Sequence, residues 1–98
     1  LGDKSVMPHL IEALKHSEQY IRFTAAIALY EIGDQAAIPQ LIQALGDEDE
    51  SVREAVAIAL GKIGDQSAIS SLVNALKDED ENVRKAVAEA LEKLGLKE

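Results

Sequence analysis

Residues 33–63 read GDQAAIPQLIQALGDEDESVREAVAIALGKI, and residues 64–94 read GDQSAISSLVNALKDEDENVRKAVAEALEKL. The two stretches align without a gap: Gly33-Asp34-Gln35 falls on Gly64-Asp65-Gln66, and Ser51-Val52-Arg53 on Asn82-Val83-Arg84. Gly2-Asp3 stands one 31-residue period earlier and Gly95 one period later. The chain is therefore expected to be a single domain, 1–98, of three copies of one unit, 2–32, 33–63 and 64–94, with a tail at 95–98. Self-similarity at this period marks stacked supersecondary units that bury their apolar faces against one another.

Each unit holds two amphipathic segments. In the first, the apolar residues are Met7, Leu10, Ile11, Leu14, then Ile38, Leu41, Ile42, Leu45, then Ile69, Leu72, Val73, Leu76. That is i, i+3, i+4, i+7, one face of a helix three times over. In the second segment Ile21, Ala25, Ala28, Leu29 and Ile32 share a face, matched by Val52, Val56, Ala59, Leu60, Ile63 and by Val83, Val87, Ala90, Leu91, Leu94. Ala26, Ala57 and Ala88 lie beside that face, small enough for neighbouring units to approach closely.

Punctuation gives the same division. Gly33, Gly64 and Gly95 follow the last apolar residue of each second helix, where a left-handed residue is expected. Asp34 and Asp65 are placed to cap the next helix, and Pro8 and Pro39 sit in or near a first helical turn, where a missing N–H does least harm. The acidic runs Asp47-Glu48-Asp49-Glu50 and Asp78-Glu79-Asp80-Glu81 precede the second helices. They read as caps favouring the positive end of the helix dipole, because they lack the glycine and distal glutamate of a calcium loop.

The formal charge is −8, concentrated in the second and third units. Such a surface repels phosphate backbones and anionic membranes, so neither nucleic acid nor membrane is an expected partner. No apolar run approaches a membrane span, and a cytoplasmic protein is the expectation. With no cysteine, disulfides and thiolate chemistry are out of reach. The serines and histidines form no nucleophile, base and orienter set, and His9 and His16 lack the neighbours of a metal site. The chain is expected not to be an enzyme and to need no cofactor and no metal.

An aspartate, then a Val-Arg pair, then Ala-x-x-Ala-Leu resembles the HEAT repeat. Asp47 with Val52-Arg53 and Ala59-Leu60 carries that resemblance, as does Asp78 with Val83-Arg84 and Ala90-Leu91. The short period and the Gly-Asp-x-x-Ala-Ile-Pro opening at Gly33 to Pro39 look most like the phycobilisome-lyase type of HEAT-like repeat, and artificial alpha-repeat binders are similar too. The resemblance implies an all-α fold: a right-handed alpha-solenoid, or armadillo-like superhelix, of three helical hairpins and six helices. It also implies a structural ladder in which Arg53 and Arg84 meet loop aspartates such as Asp47 and Asp78. His16 stands where those aspartates stand, so a rung at Arg22 is left open. Deoxyhypusine hydroxylases resemble this repeat type but place His-Glu pairs after the Val-Arg position. Here Phe23-Thr24, Glu54-Ala55 and Lys85-Ala86 follow it instead.

Exposed positions that vary between units point to a site. Opposite the core stripe of the second helices lie Tyr20, Phe23, Ile27 and Tyr30 in the first unit, Ser51, Glu54, Ile58 and Gly61 in the second, and Asn82, Lys85, Glu89 and Glu92 in the third. All three aromatic residues of the chain fall on that patch. By the resemblance, second helices line the concave surface. The expected function is a protein-interaction scaffold that binds a protein or peptide, with apolar anchors and basic flanks, on Tyr20, Phe23, Ile27, Tyr30, Glu54 and Ile58. The alternatives are a self-associating module or a fragment of a longer array, and, as a lesser one, a subunit of a bilin lyase-like enzyme. Leu1 aligns with Ile32, Ile63 and Leu94, like the tail of an upstream helix. Terminal units normally carry polar outer faces; the first unit shows no clear sign of this, and the third does so only in part, with Ser70, Ser71 and Asn74. A homodimer through the aromatic face or an uncapped end is therefore the competing partner.

Overall fold

The computed structural model describes residues 4–95; Leu1, Gly2-Asp3 and the tail beyond Gly95 lie outside the described residues. Within them the chain forms three hairpins, each a short helix followed by a long one. The helices are α1 (Met7–Ala13), α2 (Gln19–Ile32), α3 (Ile38–Ala44), α4 (Glu50–Ile63), α5 (Ile69–Ala75) and α6 (Glu81–Lys93). The architecture is an alpha-solenoid.

Local chemistry explains where each element starts and stops. Asp34 and Asp65 accept hydrogen bonds from the N–H of Ala36 (2.7 Å) and Ser67 (2.8 Å). Each thereby opens a single 3-10 turn, Gln35–Ala37 or Gln66–Ala68, that feeds the next short helix. Pro8 and Pro39 occupy the second position of α1 and α3. Asp49 caps α4 by accepting from Ser51 N (2.7 Å) and Val52 N (3.2 Å), and Asp80 caps α6 through Val83 N (3.0 Å). Glu18 holds the equivalent place before α2 and makes no side-chain cap. Gly33 and Gly64 end the long helices in the left-handed region, at φ 69° and 81°, a conformation that a Cβ would strain.

The long helices pack side by side, α2 on α4 and α4 on α6, and each short helix packs on the long helix of its own hairpin. Between the short helices the surface opens into grooves, one of about 540 Å³ between α3 and α5 and one of about 180 Å³ between α1 and α3. Close approach in one layer and gaps in the other curve the stack, with α2, α4 and α6 on the inside. The core lies between the two layers, through Leu29, Leu41, Val52, Val56, Leu60, Leu72, Val83 and Val87, all fully buried.

A long helix in a stack has two flanks as well as a core stripe. One flank, at Ala55, Ala59, Ala86 and Ala90, is buried against the preceding hairpin. Its counterparts in α2, Thr24 and Ala28, are exposed and half-buried, so Ala28 departs from the core role expected of it. The other flank faces the following hairpin and holds Ala26 and Ala57, fully buried, while Ala88 is exposed on α6. Gly61 belongs to this flank, not to the open face where the sequence pattern set it. A Cβ there would lie 2.8 Å from Ala90 Cα and 2.9 Å from Ala90 Cβ. Gly61→Ala gains about 1 kcal/mol of helix propensity but forces α6 outward, an overpacking cost of about 1–3 kcal/mol. We expect a net loss of about 1 kcal/mol in urea unfolding; a variant more stable than the parent would show that α6 yields freely.

Candidate protein-binding face

The inner layer displays the aromatic patch, though not evenly. Tyr20, the second residue of α2, is 73% exposed, and Ile27 and Ile58 are exposed on adjacent helices at equivalent positions. Phe23 and Tyr30 are instead half-buried and pack against the core, and Glu54 is half-buried as well. The reason is geometric. A helix packed against a neighbouring hairpin buries that flank as well as its core stripe, and Tyr30, one turn beyond Ala26, falls on the flank toward α4. The open part of the patch is therefore Tyr20, Ile27 and Ile58, with Phe23 and Tyr30 forming its floor.

Lys62 adjoins the patch, although apolar periodicity offers no reason to single it out. Its ammonium sits 4.4 Å from the centroid of the Tyr30 ring and 3.5 Å from the Glu31 carbonyl oxygen, to which it donates. A cation over a ring face is attracted by the quadrupole. The signal available was spacing, since Lys62 lies one turn after Ile58 on the same face. From Ile58 a shallow groove continues between α4 and α6, lined by Gly61, Ala86, Glu89 and Lys93. The rim thus carries both signs of charge: Glu54 and Glu89 on one hand, Lys62, Lys85 and Lys93 on the other.

A ladder ties the hairpins behind this face. Arg22 donates from Nε to Asp47 Oδ2 (2.7 Å) and from Nη2 to Asp47 Oδ1 (3.1 Å), while its Nη1 holds the carbonyls of His16 (2.8 Å) and Ser17 (3.1 Å). Arg53 repeats the pattern on Asp78 at 2.8 and 3.1 Å, with Nη1 on the Asp47 carbonyl at 2.7 Å. Each arginine therefore fixes its own loop by the backbone and the next loop by its carboxylate. Both arginines are buried, and bidentate charge-assisted bonds of this kind are the strong ones.

Two expectations about the ladder change. Arg22 does form a rung, because its acceptor comes from the following hairpin and His16 is never asked to supply it. Arg84 does not: it reaches the Asp78 carbonyl (2.8 Å) and pairs with no carboxylate among the described residues. Asp47 and Asp78 each also accept from the N–H two residues on, at 2.9 Å, so each rung aspartate shapes its own turn.

No helix among the described residues is long and apolar enough to cross a membrane. Among curated proteins, none matches the chain. Among solved structures, the complex of CpcE and CpcF of phycocyanin lyase from Nostoc sp. PCC7120 is 37% identical over 87% of this chain, with a TM-score of 0.80. Human deoxyhypusine hydroxylase is 30% identical over 87% of this chain, with a TM-score of 0.81. The chain spans 35% of the first and 30% of the second, about a third of either. The family model for HEAT repeats matches residues 1–49 and 38–98. With its hairpins, its arginine ladder and a match along its whole length, the chain belongs to the HEAT repeat family.

Proposed function

We propose that this chain is a non-enzymatic scaffold that binds a protein or peptide on the inner face of α2 and α4. The observation that carries this reading is Tyr20, 73% exposed beside Ile27 and Ile58 on one continuous face. Tyrosine at such a place adds contact area at low entropy cost, and an amphipathic helix with apolar anchors suits a shallow groove. Overall acidity favours basic flanks on the partner, with Lys62, Lys85 and Lys93 supplying partners for a few acidic groups.

The test is selection of helical peptides from a displayed library, followed by titration against variants. Tyr20→Ala is expected to weaken selected binders by about 1–3 kcal/mol and to change unfolding stability by less than about 0.5 kcal/mol. Binders indifferent to Tyr20→Ala and Ile58→Ala would place recognition elsewhere. A second reading, part of a lyase-type assembly, is favoured by the 37% identity to the phycocyanin lyase complex. A visible absorbance shift on titration with an open-chain tetrapyrrole would support it.

A further inference from the structure

We infer that the outer face of α6 is a two-fold interface between two copies of this chain, with Ala88 at the axis and Arg84 of each copy paired to Glu92 of the other. This is independent of the inner-face reading.

The face consists of positions that the other hairpins bury. Arg84 aligns with Arg22 and Arg53, both buried, and Ala88 with Ala26 and Ala57, both fully buried, yet Arg84 and Ala88 are exposed. On α5, Leu76 is 41% exposed, where Leu14 is 5% and Leu45 is 9%. Nothing among the described residues covers this surface. Arg84 is anchored like its counterparts, with Nη1 on the Asp78 carbonyl. Its Nε and Nη2, the atoms that the other two arginines place on carboxylates, hold no carboxylate among the described residues. Glu92 is exposed and makes no ion pair among the described residues.

The spacing selects the occupant. Arg84, Ala88 and Glu92 lie at i, i+4 and i+8, a single line on one helix. A two-fold axis through Ala88 runs two α6 helices antiparallel, lets them approach over a small residue, and sets Arg84 against Glu92 twice. The same operation brings α5 beside α5 of the copy, antiparallel, and extends the contact beyond α6. Self-complementarity of this kind is what a two-fold interface requires.

Head-to-tail stacking of copies is disfavoured by two mismatches. The loop that would meet Arg84 carries His16 in place of Asp47. His16 Nδ1 accepts from the Glu18 N–H at 3.0 Å, so a neutral ring carries its proton on Nε2 and offers the guanidinium another donor. Glu31, which occupies the place of Lys62, would meet Glu92. The end face is one short and one long helix across, and no extent of the molecule exceeds 37 Å. A face of this size is smaller than a standard interface, so the dimer is weak and transient.

Sedimentation equilibrium or light scattering up to millimolar chain tests this. Arg84→Glu and Glu92→Arg are each expected to weaken dimerisation at least 10-fold. The double variant Arg84→Glu/Glu92→Arg is expected to restore it to within about 3-fold, and mixing the two single variants to give the heterodimer. Both residues are exposed, so each variant is expected to fold, which circular dichroism melts check. A chain that stays monomeric throughout would overturn the inference. So would a dimer that survives both reversals, or one abolished by Tyr20→Ser and unaffected by either reversal.

Discussion

Truncating Leu60 to Ala is expected to destabilise the array by about 2–5 kcal/mol, through lost transfer energy and the cavity left behind. Leu60 is fully buried in α4, which among the described residues is the long helix with a neighbour on both flanks, so the surrounding side chains can collapse little. For a domain of this size the melting temperature should fall by at least about 8 °C, and total stability is typically only about 5–15 kcal/mol. Urea unfolding of the variant with an unchanged m value would locate the loss in the folded core. A shift below about 3 °C would mean that Leu60 does not lie at the centre of the core.

The second large effect is expected at the rung between α4 and the following loop. Arg53→Ala leaves the Asp78 carboxylate, 9% exposed as a side chain, without its fork, and breaking a buried pair this way costs about 3–5 kcal/mol. The pH dependence identifies the cause. Burial of Asp78 opposes its ionisation. The Arg53 hydrogen bonds, the Asp80 N–H and the charges of Arg53 and Arg84 outweigh that burial and hold its carboxyl below the usual carboxylate range. A carboxylate depressed in the folded state contributes stability above its unfolded value of about 3.9, and that contribution fades as pH falls toward the folded value. The gap between parent and Arg53→Ala should therefore narrow below about pH 4. Asp65, lowered first by the Ser67 N–H, is common to both proteins and cancels. A gap that persists unchanged to about pH 2.5 would assign the loss to packing of the arginine stem.

Much of the fold was legible because one unit is written three times. The apolar columns, the left-handed Gly33 and Gly64, and the caps at Asp34 and Asp65 each rest on contacts within a single hairpin, and periodicity reports those. What depended on the neighbouring hairpin was harder. Gly61 and Tyr30 fell opposite the core on a helical wheel, yet both lie on the flank toward the next hairpin. A wheel built for one helix on one core has no second neighbour in it. The direction of the ladder was likewise hidden, since Arg53 can be aligned with Asp47 or with Asp78, and only the stacking geometry chooses Asp78. Comparing Ala57 with Ala88 by column could not show that one is covered and the other bare.

The rungs also bear on how the inner face recognises anything. Arg22 and Arg53 each clamp two consecutive loops at once, so the turns between α3 and α4 and between α5 and α6 are not free hinges. The relative tilt of α2, α4 and α6 is then set before a ligand arrives. A peptide that lies across Tyr20, Ile27 and Ile58 meets a surface whose curvature is already fixed, and nearly all of the ordering entropy of association falls on the peptide. Affinity should accordingly respond to preorganising the peptide, by helix stapling for instance, far more than to stiffening the array.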